Sequence, residues 1–129
     1  MDIYSDYLPR NKHDFDRMYK LKEMDRTELL PLLPGLMEWI QDMNWQIAEE
    51  VAELLLTFPN KIVPLIKAVL TTNDDIWKYW CLIILVKRLP GDIRMQFKSD
   101  LIRLVESPTV GEKLEELDEI AIEILQTIE

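Results

Sequence analysis

Apolar side chains recur three and four residues apart along most of this chain, and prolines or acidic and amide residues interrupt them. This spacing places them on one face of an α-helix. The chain also has three glycines and seven prolines, too few for the many turns of a β-rich fold, so the predicted class is all-α. The pattern predicts a helix over about 15–24, a turn through Leu30 with a helix to about 42, and helices over about 45–57, 60–70, 76–89, 93–106 and 112–128.

Polar residues that precede these segments have the chemistry of helix N-caps. Asn44 is expected to cap the helix that follows it, and Asp74 or Asp75 is expected to cap the helix that contains Trp77. Asp25 and Thr109 each stand three residues before a glutamate, which is the spacing of a capping box. These residues therefore predict where four of the helices begin.

The pattern repeats with a period of about 30 residues. Pro34 is followed by Pro64, and Pro59 by Pro90, at nearly this spacing. Each repeat corresponds to two helices, and helix pairs of this period bury their apolar faces against neighbouring pairs in an α–α superhelix. We predict a single domain over 1–129, with an N-terminal arm and capping helix (1–26) and antiparallel helix pairs at 27–59, 60–90 and 91–129.

Two apolar stretches carry specific expectations about packing. Residues 79–86 are apolar on every side, which predicts a helix covered by both neighbouring pairs. The last helix is amphipathic instead. Its predicted buried stripe comprises Leu114, Leu117, Ile120, Ala121, Ile124 and Ile128.

The charge balance limits the partners. With 48% hydrophobic and 30% charged residues the chain is expected to fold, and its net charge of −9 opposes binding to nucleic acid and to anionic membranes. Neither is a predicted partner. Much of the negative charge falls within 106–129, which is either a solvated helix face or a surface that binds a basic partner.

Cysteine use and the start of the chain indicate the compartment. Cys81 is the only cysteine, so no intrachain disulfide and no cysteine zinc site can form, as is typical of a reducing environment. The first residues have neither a basic region nor an apolar stretch, and the longest apolar run is far shorter than the roughly 20 residues that cross a bilayer. The predicted location is cytoplasmic.

Trp45 and Trp77 stand at corresponding positions, each where the second helix of a pair begins, with acidic and amide residues just before them. In one interpretation the polar residues are caps and the indoles pack inside. In the other they form an edge that binds a protein partner, since tryptophan is frequent in binding hot spots. The candidate partner-binding residues are His13, Asp14, Asp42, Asn44, Trp45, Asp74, Asp75, Trp77 and Lys78.

His13 is the only histidine. It either anchors the N-terminal arm, contacts a partner or takes part in catalysis. Asp14 and Asp16 beside it are a weak constellation for a metal, and the three glycines do not form a phosphate-binding loop. We predict no catalytic, metal or cofactor site.

Three segments resemble a bacterial family of short HEAT-like domains of unknown function: LPRNKHDFDR (8–17), LLPGLMEWIQDMNWQIA (32–48) and DDIWKYWCL (74–82). The resemblance implies a HEAT-like α–α superhelix, a soluble bacterial protein and no assigned activity. Domains of this size often occur near toxin and immunity genes, which suggests a toxin-neutralising role by analogy. Such an analogy does not establish function.

The expected function is therefore that of a non-enzymatic protein-interaction domain, monomeric or weakly dimeric. Its most concrete form is a bacterial immunity or toxin-inhibitor protein. One alternative is a small-ligand protein or enzyme that uses a cleft near His13, Asp42 and Asp75. A second alternative is a self-associating architectural domain.

Overall fold

Every regular element of the computed structural model, which describes residues 7–128, is helical. This confirms the all-α prediction. The α-helices are α1 (Phe15–Glu23), α2 (Arg26–Leu29), α3 (Leu33–Met37), α4 (Ala48–Leu56), α5 (Pro59–Leu70), α6 (Asp75–Trp80), α7 (Gly91–Arg94), α8 (Lys98–Glu106), α9 (Val110–Leu114) and α10 (Leu117–Leu125). Tighter 3-10 segments occur at Leu30–Leu32, Glu38–Gln41, Val86–Arg88 and Met95–Phe97, and a π-helical segment, Cys81–Leu85, continues α6.

The chain divides into two compact units, the first ending at Phe58 and the second beginning at Pro59. In the first unit α4 packs against α1 and α3. Their apolar faces supply a core that excludes water, which is the main source of stability in a small helical unit. Fully or almost fully buried members of this core are Met18, Leu21, Leu32, Leu33, Leu36, Ile40, Ile47, Val51 and Leu55.

Prolines shape the stretch between α2 and α4. Pro31 lies in the first turn of the segment Leu30–Leu32, and Pro34 in the first turn of α3. Because proline has no N–H to donate, it is tolerated in a first turn and interrupts a helix interior. The turn through Leu30 predicted from the sequence is therefore observed, and the path to Gln41 alternates between α and 3-10 geometry.

Two predicted caps of the first unit are corrected. Asn44 does not cap a helix, because its backbone N–H donates to Asp42 Oδ1 at 2.9 Å and the chain makes a turn there. Helix α4 begins only at Ala48, after Ile47, which has no capping side chain. Asp25 does precede α2, but its side chain makes no capping hydrogen bond.

In the second unit α10 packs along α8, and α5 contacts both α6 and α7. Asp74 caps α6 as predicted, since its Oδ1 accepts from the Trp77 N–H at 3.0 Å. The capping box before α9 is also confirmed. Fully or almost fully buried members of this core are Ile62, Ile66, Leu82, Leu85, Phe97, Leu101, Leu104, Leu117, Ala121 and Ile124.

The continuous helix predicted over 112–128 is wrong. Glu116 has φ 60° in the left-handed region, which ends α9 and starts α10 in a new direction. Leu114 consequently leaves the buried stripe and is 77% exposed. The rest of the stripe from Leu117 to Ile124 is buried as predicted, whereas Ile128 is half-buried.

The apolar run 79–86 is buried on one side only, which corrects the prediction that both neighbouring pairs cover it. Cys81, Leu82, Leu85 and Val86 are buried, whereas Tyr79, Trp80, Ile83 and Ile84 are half-buried. Tyr79 and Trp80 meet edge to face, with ring centroids 4.9 Å apart, so each ring shields part of the other. Within residues 7–128, no helix is both long and apolar enough to cross a membrane.

Candidate functional site

Trp39 and Trp45 line one pocket of the first unit, with a volume of about 370 Å³. Their ring centroids are 5.3 Å apart and their planes are inclined by 73°, an edge-to-face arrangement. Both indoles are half-buried. The other described residues that line this tryptophan pocket are Leu8, Pro9, Gly35, Glu38 and Gln41.

A turn centred on Asp42 brings the two indoles together. Trp39 lies in the 3-10 segment Glu38–Gln41, and Trp45 follows it in the turn before α4. The Trp45 N–H donates to the Asp42 carbonyl oxygen at 3.2 Å, and the Asp42 carboxylate accepts from Asn44. Asp42 and Asn44 therefore shape the turn that carries Trp45, which is a different role from the predicted cap.

The N-terminal arm closes one side of the tryptophan pocket. The Leu8 side chain lies against Gly35, where any larger residue would collide with it. Asp14 holds the arm: its Oδ2 accepts from the Arg10 backbone N–H at 2.9 Å and from Arg10 Nε at 3.0 Å. These bonds keep the pKa of Asp14 below its ordinary value.

Asp14 is also the N-cap of α1, where its Oδ1 accepts from the Arg17 N–H at 3.4 Å. It is therefore a structural residue of the arm, almost fully buried. His13 beside it is exposed, and its backbone N–H donates to Asn11 Oδ1 at 2.9 Å. Whether His13 anchors the arm, contacts a partner or takes part in catalysis stays a prediction.

The lining of the tryptophan pocket determines which chemical groups it suits. Among the described residues that line it, Glu38 is the only charged one, Gln41 adds an amide, and the others are apolar or aromatic. An anion would meet the Glu38 carboxylate, and none of these lining residues is basic. The pocket therefore suits an apolar or cationic group.

The second unit contains a buried ion network formed by Lys78, Asp75, Arg103 and Glu112. Lys78 is 2% exposed and Glu112 1%. Lys78 Nζ lies 2.9 Å from both Asp75 Oδ1 and Glu112 Oε2, and Arg103 Nη1 and Nη2 lie 2.8 and 2.6 Å from the two Glu112 oxygens. Because its members come from α6, α8 and α9, the network joins three helices.

Each charge in this network stabilises its neighbours. Hydrogen bonds from Arg103 outweigh the effect of burial and, with those from the Thr109 N–H and from Lys78, lower the pKa of Glu112 to about 2. Burial opposes the charged form of Lys78, but Asp75 and Glu112 together outweigh it and raise the pKa of the ammonium. Glu112 is ionised and Lys78 is protonated at neutral pH, as a paired buried site requires.

The predicted site residues of the second unit have different roles in the structure. Asp75 and Lys78 lie in the buried ion network of the second unit, so the Lys78 ammonium is inside the fold rather than on a surface edge. Asp74 caps α6, and Trp77 is half-buried. Whether Trp45 and Trp77 form a common edge stays a prediction.

Sequence reasoning did not identify Glu38, Arg103 or Glu112 as site residues. The spacing of Thr109 and Glu112 indicates a capping box, and the Glu112 side chain does accept from the Thr109 N–H at 2.8 Å. The same carboxylate is also the centre of the ion network, for which no local sequence signal exists. Glu38 is adjacent to Trp39, but only the pocket geometry gives it significance.

Gly111 lies next to the buried ion network, where there is no room for a larger side chain unless Asp75 moves. A Cβ there would collide with Asp75 Oδ2, while Lys78 holds the same carboxylate in place. Alanine normally stabilises a helix by up to about 1 kcal/mol relative to glycine. We expect the opposite sign for Gly111→Ala, a loss of about 1–3 kcal/mol of unfolding free energy, because the carboxylate must move.

Gly91→Ala is the matched control for this prediction. A Cβ at Gly91 would meet only the Arg94 guanidinium, at an ordinary 3.7 Å. Urea unfolding followed by circular dichroism is expected to show a neutral or stabilising effect for Gly91→Ala. A stabilising effect for Gly111→Ala as well would mean that the Asp75 contact does not constrain α9.

Metal-binding and nucleophilic chemistry find little support in the described part of the chain. Residues 7–128 contain no group of three or more His, Cys, Asp or Glu side chains placed to hold a metal ion. Cys81 is fully buried, and burial raises the pKa of its thiol, which makes it unreactive.

A family model described as a domain of unknown function (DUF5071) covers residues 7–125. No curated protein matches the chain.

Proposed function

The chain belongs to the DUF5071 family, and we propose that it is a protein-interaction domain whose recognition site is the tryptophan pocket. One observation carries this proposal: two half-buried indoles line the same concave site. Tryptophan supplies much of the energy of binding hot spots, because it is large, rigid and amphipathic. A partner side chain inserted here would remove apolar surface of both indoles from water.

Binding is favoured over catalysis by the state of the titratable groups. Glu112 and Lys78 have displaced pKa values, but they are buried and engaged with Arg103, Asp75 and each other. A catalytic acid or base needs a proton that can move to or from a substrate. The network supports a structural role instead.

We further propose that the helices stack in the HEAT-like manner and that the protein acts in the bacterial cytoplasm. The most concrete form of the function is a bacterial immunity or toxin-inhibitor protein. The net charge of −9 supports a basic partner for it, since opposite charges accelerate association. Co-expression of the chain with a basic toxin that it neutralises is expected to restore the growth of bacteria that produce the toxin. The Trp45→Ala variant is expected not to restore it.

The proposal is tested by selecting peptides from a random display library on the immobilised full chain and measuring their affinities by fluorescence polarisation. Trp45→Ala is expected to weaken the selected peptides by about 10-fold or more, as loss of a hot-spot residue does. Trp45→Phe, which keeps a ring in place, is the second variant if the alanine variant melts early. It is expected to weaken binding by a smaller factor.

Tyr19→Ala is the matched control, because Tyr19 is an aromatic residue of the same unit that is 59% exposed and does not line the pocket. Its peptide affinities are expected to equal those of the unmodified chain. Peptides that bind the Trp45 variants unchanged would contradict the proposed site. Failure to select any peptide would contradict peptide recognition by the domain.

A further inference from the structure

We infer that the tryptophan pocket receives the guanidinium group of an arginine side chain from the partner protein. The inference rests on the proposed function and specifies the partner's chemistry at the same site. It follows from the charge of the pocket, the arrangement of its rings and its apolar walls.

The charge of the pocket favours a cation. Glu38 is exposed, and none of the lysines and arginines in the described part of the chain forms an ion pair with it. Asp14, the carboxylate that holds the arm in the same unit, is already paired with Arg10. Glu38 therefore brings a negative charge without an ion pair to the rim of a site whose other described lining residues are uncharged.

The rings provide a second attraction for a cation. A cation within about 6 Å of an indole centroid is attracted by the negative face of the ring. Because the two planes are inclined by 73°, the pocket does not present two parallel walls, and a flat group can stack on one indole beside the other. The same unit already contains this type of contact, since Arg26 Cζ lies 3.9 Å from the Phe58 centroid.

Arginine fits these features better than lysine. Its guanidinium is planar, stacks on aromatic rings, is weakly hydrated and can donate two parallel hydrogen bonds to a carboxylate such as that of Glu38. Its methylene stem would contact the apolar walls, Leu8 and Pro9. The volume of about 370 Å³ leaves room for the whole side chain.

The test compares two capped pentapeptides, Gly-Ala-Arg-Ala-Gly and its citrulline counterpart, at constant ionic strength. Citrulline has nearly the shape of arginine but no charge. The indole N–H signals of the four tryptophans are followed by NMR on the full chain, with Trp39→Phe and Trp45→Phe used for assignment. The arginine peptide is expected to shift the Trp39 and Trp45 signals and to bind about 3- to 30-fold more tightly than the citrulline peptide.

Glu38→Gln is expected to reduce the affinity for the arginine peptide by about two- to fivefold and to leave the citrulline peptide unaffected. Glu28→Gln is the matched control, because it removes the same charge from an exposed glutamate of the first unit outside the pocket. It is expected to change neither affinity by a comparable factor. Equal losses in the two variants would overturn the role of Glu38 and with it the inference.

The outcomes separate this inference from the proposed function. Equal affinities of the two peptides, or shifts confined to Trp77 and Trp80, would overturn the inference. Absence of binding by either peptide would overturn it too. The proposed function would survive each of these results if library-selected peptides still lost affinity on Trp45→Ala, and both would fail together if they did not.

Discussion

Glu112→Gln is expected to lower the free energy of unfolding at pH 7 by about 3 kcal/mol. The substitution keeps the size of the side chain but removes the charge that pairs with the buried Lys78 ammonium and with the partly exposed Arg103 guanidinium. The magnitude follows from the pKa of Glu112, which is lowered from its ordinary 4.5 to about 2, since each pKa unit corresponds to about 1.4 kcal/mol. Urea unfolding monitored by circular dichroism measures the change.

Glu123→Gln is the matched control for this variant. Glu123 also forms an ion pair with a lysine, since its Oε2 lies 2.9 Å from Lys87 Nζ, but its side chain is 63% exposed. Exposed pairs contribute about 0–1 kcal/mol because water and salt screen them. A loss for Glu112→Gln no larger than that for Glu123→Gln would contradict the stabilising role of the buried network.

The same carboxylate predicts an acid-dependent part of the stability. Because the pKa of Glu112 is lower in the folded chain than its ordinary 4.5, the stabilisation is complete above about pH 4.5 and is lost as the pH falls towards about 2. The unmodified chain is expected to lose about 3 kcal/mol more than Glu112→Gln over this interval. Parallel pH curves for the two proteins would contradict this assignment.

Lys78→Met is the second large expected effect, a loss of about 3 kcal/mol. Methionine approximates the buried lysine stem, so the variant mainly removes the ammonium and leaves Asp75 and Glu112 without it. The pKa of Lys78 is raised above 10.5, so its contribution is complete below about pH 10.5 and is lost as the pH rises through the raised value. Measurements at pH 7 therefore report the full effect.

Lys87→Met provides a direct comparison. Its ammonium lies 2.9 Å from Glu123, the same separation that Lys78 has from each of its carboxylates, but the Lys87 side chain is 37% exposed. The expected loss is below about 1 kcal/mol. The two lysines thus differ in burial and in the number of paired carboxylates, two for Lys78 and one for Lys87. Equal losses would show that the buried arrangement does not strengthen the pairing.

Local signals predicted much of the secondary structure. Asp74 caps α6 and Thr109 begins α9 as expected, because a cap bonds to an N–H only two or three residues away. The prediction failed at Asn44, where two local rules compete. The Asp42 carboxylate accepts from the Asn44 N–H, and the chain turns there instead of starting a helix.

The tryptophan pocket could be predicted from the sequence only in part. The sequence singled out Trp45 beside Asp42 and Asn44, and these residues do shape one site. The site also contains a second indole, Trp39, and the acidic Glu38. These two residues lie beside Trp45 only because the chain turns between residues 42 and 45. Residue types alone therefore suggested a partner-binding aromatic, but not the concave site around it.

The sequence by itself determined the helical class, the positions of most helix starts and the apolar stripe of α10, because helical periodicity and capping depend on residues within a few positions of one another. Only the tertiary structure determined which charged residues are buried and with which residues they pair. Lys78 and Glu112 are 34 residues apart, and their pairing depends on how α6, α8 and α9 pack. Lys78, which the sequence suggested for a surface edge, and Glu112, a helix-capping residue, are buried and paired with each other, since a charge in the interior requires a partner that only packing supplies.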